Sequence, residues 1–196
     1  MMDALFVSAA IVAIAEIGDK TQLLALVLAA RFRRPIPIIL GILFATLANH
    51  GLAAWAGTAV AAWLGGEVMR WALGLSFLAM AGWILVPDKI DDDTPGIGER
   101  FGPFLATLVA FFLVEIGDKT QIATVALAAR FDDLILVTLG TTLGMMAANV
   151  PAVLLGEAAA TRLPLRLVHI VAAILFAIMG ILALSDVGSD LISHIN

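Results

Sequence analysis

The sequence predicts an all-α integral membrane protein with six transmembrane helices, arranged as two inverted three-helix repeats. Three observations predict this fold class: the chain is strongly apolar, its apolar residues fall into six long blocks, and one acidic motif occurs twice. Hydrophobic residues make up 62% of the 196 residues and charged residues 14%, and the mean hydropathy is +1.05. A soluble domain averages about 45–50% apolar residues, so we expect this chain in a lipid bilayer.

Six apolar blocks are the predicted membrane helices. Each is long enough to cross a hydrocarbon core of about 30 Å at 1.5 Å per residue. The first block lacks the positively charged start of a cleavable signal, which predicts that it is retained as a span. The blocks are 4–30, 36–64, 68–87, 102–130, 134–158 and 164–185.

One hydrophilic stretch divides the chain. Residues 88–101 are predicted to form an acidic cytoplasmic linker, whereas the other breaks between blocks are short and contain turn residues. The predicted organisation is a first three-helix repeat at 1–87, the linker at 88–101 and a second three-helix repeat at 102–196.

The two halves carry the same heptapeptide, Glu-Ile-Gly-Asp-Lys-Thr-Gln, at 16–22 and again at 115–121. The similarity extends further, because 12 of 17 positions match between 16–32 and 115–131. Each repeat has three spans, an odd number, so the second copy should enter the membrane from the side opposite to the first. This inverted-repeat plan is typical of secondary transporters.

The distribution of basic residues predicts that both termini lie on the outer face. Lys and Arg concentrate on the cytoplasmic side of membrane proteins. With outer termini, the outer loops would hold only Arg70 and Arg130. The inner loops would hold Arg31, Arg33, Arg34, Lys89, Arg100, Arg162 and Arg166.

The repeated motif places acids at the predicted mid-membrane depth of the first and fourth blocks. A charged residue at a helix centre costs about 2.5–3.5 kcal/mol on insertion scales, so these groups should face one another, a cavity or an ion. On a continuous helix, the acids and the lysine of each motif would form one stripe, with the motif glycine on the opposite face. Alternatively, the motif glycines could loosen the helices locally so that backbone carbonyls join the coordination, as in transporters with broken helices. The four acids are Glu16, Asp19, Glu115 and Asp118.

Charge balance predicts what this site would bind. Four acids and the two motif lysines carry a formal charge of −2, which one divalent cation or two protons would neutralise. The candidate ligands are all oxygen donors, which suit Ca²⁺, Mg²⁺ or Mn²⁺, and the chain has no cysteine. Besides the four acids, the candidate metal ligands are Thr21, Thr120, Gln22, Gln121, Asn49 and Asn149.

Structural roles are the alternatives for several of these residues. Glu16 and Lys20 stand four residues apart and could form an intrahelical ion pair that only fastens helices together. Asn49 and Asn149 could be interhelical hydrogen-bond formers instead of ligands. The lysines could neutralise their neighbours or gate the site, and His50 could be a packed polar residue or a proton relay.

The two E-x-G-D-[KR]-[ST] motifs, Glu16 to Thr21 and Glu115 to Thr120, resemble those of the GDT-one family of Ca²⁺ or Mn²⁺/proton antiporters. That family has members in the eukaryotic Golgi and manganese exporters in bacteria. The resemblance covers essentially the whole chain and implies cation/proton antiport. It implies that the four acids carry metal and protons, with Thr21 and Thr120 as supporting ligands. The lack of a targeting extension resembles prokaryotic members, which implies manganese export through the inner membrane.

The predicted function is therefore a secondary transporter that exports Mn²⁺, or alternatively Ca²⁺, in exchange for protons, without a cofactor. Two other functions remain as alternatives: an exporter of small organic cations or amino acids, and a non-transporting membrane scaffold. No enzyme motif is present, and the net charge of −5 gives no basic surface for nucleic acid. The lipid bilayer is the expected surrounding, and homo-oligomerisation stays open.

Overall fold

The computed structural model describes residues 2–86, 98–155 and 165–185, with side chains described in 2–86, 102–155 and 166–185. Within these ranges the fold is helical without strands, as predicted. The predicted boundary at 87/88 and most of the 88–101 linker lie outside the described residues. The helices are α1 (Met2–Glu16), α2 (Lys20–Phe32), α3 (Pro35–Trp63), α4 (Gly66–Trp83), α5 (Gly98–Glu115), α6 (Lys119–Phe131), α7 (Leu134–Leu155) and α8 (Leu165–Leu184).

The prediction of one continuous helix through each motif is wrong. The block at 4–30 is divided into α1 and α2, and the block at 102–130 into α5 and α6, with both breaks inside the heptapeptide. Gly18 and Gly117 have φ angles of 83° and 76°, in the left-handed region that glycine adopts readily and other residues avoid. The motif glycine therefore turns the backbone instead of lying on the far face of a straight helix.

Within the described residues, three of the six predicted blocks contain a single helix long and apolar enough to cross a membrane. These helices are Pro35–Trp63, Leu134–Leu155 and Arg166–Leu184, the last lying within α8. Helix α4 is 18 residues long and carries Glu67 and Arg70 in its first turns. The half-helices α1, α2 and α6 have 13 to 15 residues each, and α5 is kinked at Gly102, where φ is 72°.

The halves interleave, because several helices of one half pack along helices of the other. Helix α1 of the first half packs along α7 of the second, and α5 of the second half packs along α3 of the first. Helices α4 and α8 pack on each other, as do α3 and α7. Phe77 of α4 and Phe176 of α8, which stand at matching positions of the repeat, are both buried with ring centroids 6.3 Å apart. The two repeats therefore share one interior.

Glycines permit the closest of these helix contacts. A Cβ atom on Gly41 of α3 would stand 2.7 Å from Thr107 Cβ on α5, and one on Gly140 of α7 would collide with the backbone oxygen of Leu5 on α1. Gly41 and Gly140 occupy equivalent positions in the repeat. Small residues at such crossings let backbones approach and pack closely, which is how helices associate in lipid.

Large apolar side chains cover much of the outer surface. Trp63 is 92% exposed and Ile36 is 70% exposed, and exposed Leu, Ile, Val and Phe occur on most of the helices. A soluble protein rarely exposes such an extensive apolar surface, whereas lipid tails accept it. The distribution therefore agrees with a membrane protein.

Candidate functional site

Each motif forms a short turn between two half-helices. Glu16 ends α1 and Asp19 caps α2; Glu115 ends α5 and Asp118 caps α6. The turns are alike, because the amide of each aspartate donates to the carbonyl of the preceding glutamate at 3.1 Å in both copies. The repeated sequence thus produces a repeated local structure.

The acids of the two motifs lie together in the protein interior. Carboxylate oxygens of Glu16, Asp19 and Asp118 lie within 4.8 Å of one another, and these side chains are buried. Oxygen ligands lie about 2.0–2.6 Å from Mg²⁺ or Ca²⁺, so two ligands of one ion can be separated by up to about 5 Å. This three-acid cluster, which draws on both copies, has the spacing of a cation site.

Glu115 is attached to the cluster through a threonine. Thr120 Oγ1 lies 3.3 Å from Glu115 Oε2 and 3.2 Å from Asp118 Oδ2. In the first motif, Thr21 Oγ1 donates to Glu16 Oε2 at 2.6 Å. Both threonines therefore contact carboxylates of their own motif, and their role as supporting metal ligands stays a prediction.

Lys20 pairs with an acid of the other motif. Its Nζ lies 2.9 Å from Asp118 Oδ1, so the intrahelical pair with Glu16 considered from the sequence is not the salt bridge that the structure forms. Lys119 is buried, and its Nζ donates to the carbonyl of Val86 at 3.0 Å. The two lysines thus differ in surroundings although their motifs are identical.

The glutamines brace the turns. The Oε1 atoms of Gln22 and Gln121 accept from the amides of Gly18 and Gly117 at 2.9 and 2.7 Å. Gln22 Nε2 donates to the carbonyl of Ala148 on α7 at 3.1 Å. The side-chain oxygens of both glutamines thus bind the backbone of their own motif turn and stabilise that turn.

The asparagines lie beside the motifs but have different partners. Asn49 Nδ2 donates to the carbonyl of Phe112 at 2.9 Å, and its Oδ1 lies 3.4 Å from Gln121 Nε2. Asn149 Nδ2 donates to the carbonyl of Met145 at 3.1 Å. Asn49 therefore holds helices of opposite halves together, and the amide oxygen of Asn149 keeps its acceptor capacity.

Several buried acceptors at the site lack a donor. Glu16 Oε1, Glu115 Oε1 and Asn149 Oδ1 have no hydrogen-bond partner among the described residues. An unpaired polar atom in the interior costs about 1–3 kcal/mol, and a charged one more. Unpaired oxygens that gather around carboxylates favour a bound cation or protons.

Sequence reasoning gave too little weight to His50. This residue follows Asn49 in the middle of α3, and its ring is completely buried with Nε2 3.8 Å from Glu115 Oε2. The available signal was its position next to a predicted ligand, far from either end of a 29-residue apolar helix. A second contact was also unforeseen: His169 Nε2 lies 3.2 Å from the carbonyl of Ile17 in the first motif turn.

Comparison with known proteins identifies the family of the chain. The sequence model of the family described as "Divalent cation/proton antiporter GDT1" matches residues 4–92 and 103–190, so it covers both repeats and both motifs. The chain belongs to the GDT1 family. The resemblance drawn from the two motifs is thereby confirmed. The family is one of divalent cation/proton antiporters, which is consistent with the prediction that the chain is not an enzyme.

Named relatives of the chain come from bacteria and plants. It is 56% identical over 182 residues to a Vibrio cholerae protein named "Putative manganese exporter", a match that covers 92% of this chain and 90% of the relative. It is 29% identical over 202 residues to the "GDT1-like protein 3" of Oryza sativa subspecies indica and japonica, covering 90% of this chain and 71% of each relative. No solved structure matches the chain.

Proposed function

We propose that this GDT1 protein exports Mn²⁺ from the cytoplasm of a prokaryotic cell in exchange for protons. The observation that carries the proposal is the cluster of Glu16, Asp19 and Asp118 oxygens within 4.8 Å of one another, built from both motifs. Such spacing suits a bare ion and is too tight for the carbon skeleton of an organic cation or an amino acid. The name of the bacterial relative supports manganese as the ion.

The half-helix ends suit a cation held by carboxylates. Glu16 and Glu115 stand at the C-terminal ends of α1 and α5, where backbone carbonyls give the negative end of the helix dipole. Asp19 and Asp118 stand at the N-terminal ends of α2 and α6, where the positive end stabilises an ionised carboxylate. Broken helices with this polarity are a recurrent way to bind ions at mid-membrane.

Proton coupling follows from the charge of the site. The four acids and two lysines of the motifs give a formal charge of −2, which either one Mn²⁺ or two protons would cancel. A buried site that keeps this charge uncompensated is costly. The metal and the protons should therefore displace each other, which is the requirement for an exchanger.

In the proposed topology, six spans form two inverted repeats. Two of the spans are broken: one consists of α1 and α2, and the other of α5 and α6. Their breaks face the site, and irregular backbone is tolerated in a membrane where it is buried in protein or lines a cavity. Both termini would lie outside, with the acidic linker in the cytoplasm. Because α1 packs on α7 and α5 on α3, we expect the moving bodies to be these cross-paired groups rather than the sequence halves.

Metal flux into proteoliposomes tests this function. With an acidic lumen, Mn²⁺ should enter against its own gradient, and a protonophore should abolish the uptake. Ca²⁺ and Mg²⁺ tested in parallel would give the ion preference. The Asp118→Asn variant should be inactive, while Glu67→Gln, which changes an exposed acid of α4, should transport normally. Mn²⁺ uptake that ignores the pH gradient would overturn the proposal.

A further inference from the structure

We propose that His50 is a nitrogen ligand on the Glu115 side of the site and that it biases the site toward transition-metal ions over Ca²⁺ and Mg²⁺. This inference rests on the proposed function and deepens it by naming a residue that selects the ion. Its basis is geometric: the His50 ring is completely buried, and its Nε2 lies 3.8 Å from Glu115 Oε2.

The separation between His50 and Glu115 is one that two ligands of a single ion adopt. At 3.8 Å the pair is too far apart for a hydrogen bond. Histidine nitrogen and carboxylate oxygen each lie about 2.0–2.2 Å from a small divalent metal such as Zn²⁺, so an ion held by both would place them about 3–4 Å apart. The two groups could therefore share a cation with little movement of either helix.

The unpaired ring nitrogens of His50 also favour a metal ligand. Neither ring nitrogen has a hydrogen-bond partner among the described residues, which is unusual for a buried polar side chain. Glu115 lies beside the ring, and its other oxygen, Oε1, is likewise without a donor in the described part of the chain. A metal ion would satisfy the ring nitrogen and the carboxylate together.

This nitrogen breaks the symmetry of the repeat. In the register that pairs Glu16 with Glu115 and Gly41 with Gly140, the counterpart of His50 is Asn149, which carries an amide instead of an imidazole. Glu115 connects to the three-acid cluster through Thr120, whose hydroxyl lies 3.3 Å from Glu115 and 3.2 Å from Asp118. A single imidazole is thus added to an otherwise oxygen-only site.

The chemical consequence is selectivity. Ca²⁺ and Mg²⁺ are hard ions that take oxygen ligands. Mn²⁺ is also suited to carboxylates, but as a first-row transition ion it accepts a nitrogen donor beside them more readily than the alkaline-earth ions do. One nitrogen among carboxylates should therefore favour Mn²⁺ over the alkaline-earth ions. Removal of this ligand should lower the preference for Mn²⁺ over Ca²⁺ by about tenfold or more, since even the loss of a second-shell partner typically costs about 10–100-fold in metal affinity.

Electron spin echo spectroscopy of bound Mn²⁺ tests the ligand directly, with the full chain purified in detergent and labelled with ¹⁵N in histidine. We expect coupling from histidine nitrogen in the wild type and in His169→Gln, and its loss in His50→Gln. His169→Gln is the control, because it removes another histidine near a motif turn: His169 Nε2 lies 3.2 Å from the carbonyl of Ile17.

The outcomes separate this inference from the proposed function. Bound Mn²⁺ without histidine coupling in the wild type would overturn the role of His50 and leave the transporter proposal intact, and this result needs no variant to fold. Coupling that persists in His50→Gln, or a Mn²⁺/Ca²⁺ preference unchanged in that variant, would also overturn it. A wild-type protein that binds no Mn²⁺ would overturn both.

Discussion

Lys20 Nζ lies 2.9 Å from Asp118 Oδ1, so the lysine of the first motif neutralises an acid of the second. Asp118 is 3% exposed and Lys20 29% exposed, so the pair joins a buried carboxylate to a more accessible cation. The repeats are therefore coupled at the level of single side chains. A substitution in one motif should alter the electrostatics of the other.

Removal of the Lys20 charge should tighten metal binding. In Lys20→Gln the site becomes one unit more negative beside Asp118. Charges about 4 Å apart interact by about 4 kcal/mol at an effective dielectric of 20. If only part of the repulsion between Lys20 and the bound ion is removed, the affinity for Mn²⁺ should still rise at least about tenfold. Titration calorimetry in detergent measures the change. Lys20→Arg should bind like the wild type, and weaker binding in Lys20→Gln would mean that the lysine mainly braces the site.

Acidification should weaken Mn²⁺ binding. Protons and metal compete for the same carboxylates, so the apparent affinity should fall as pH decreases, and binding should release up to two protons per ion. Calorimetry in buffers of different ionisation enthalpy counts the released protons. An affinity that does not change between neutral and mildly acidic pH would contradict competition at one site.

The turn at Gly117 should require a left-handed backbone. Gly117 has φ of 76°, and nothing lies within 4 Å of the position that a Cβ atom would occupy. Gly117→Ala should therefore cost about 1–2 kcal/mol, the energy that an L-residue needs to adopt the left-handed conformation. Transport should drop because Glu115 and Asp118 on either side of the turn are displaced. Gly117→Asn should recover part of the activity, since asparagine tolerates this conformation. Equal activity of all three proteins in flux assays would refute the requirement.

The contact at Gly140 should govern stability. A methyl group there would meet the backbone of Leu5 on α1, and overpacking of this kind costs about 1–3 kcal/mol. Gly140→Ala should therefore lower the thermal unfolding midpoint in detergent. Gly82→Ala is the matched control, because nothing lies within 4 Å of its Cβ position. If both variants unfold at the wild-type temperature, the α1–α7 crossing is looser than described.

The sequence picked out acids that the structure brings together, but not the backbone geometry that does so. Glu16, Asp19 and Asp118 could be named because charged groups are costly in hydrocarbon and need a functional reason. The helix break could not be read from apolar blocks, since a glycine flanked by apolar runs is tolerated within many membrane helices. The motif glycines suggested local loosening of the helices, and the left-handed φ of Gly18 and Gly117 shows that the backbone turns there.

The side-chain contacts between the two repeats could not be predicted from the sequence either. Lys20 has an acid four residues before it, so local spacing favoured Glu16 as its partner. The partner that it takes, Asp118, is set by how the two motif turns meet in space. His50 was undervalued for the same reason, because its distance to Glu115 depends on the packing of α3 against α5.

The stoichiometry of bound Mn²⁺ tests most directly the claim that both motifs build one shared site. We predict one ion per chain in the wild type and in the controls Glu67→Gln and Asp132→Asn, which change exposed acids. Binding should be lost both in Glu16→Gln, in the first motif, and in Asp118→Asn, in the second. Two ions per chain, with one retained after either motif substitution, would contradict the shared site.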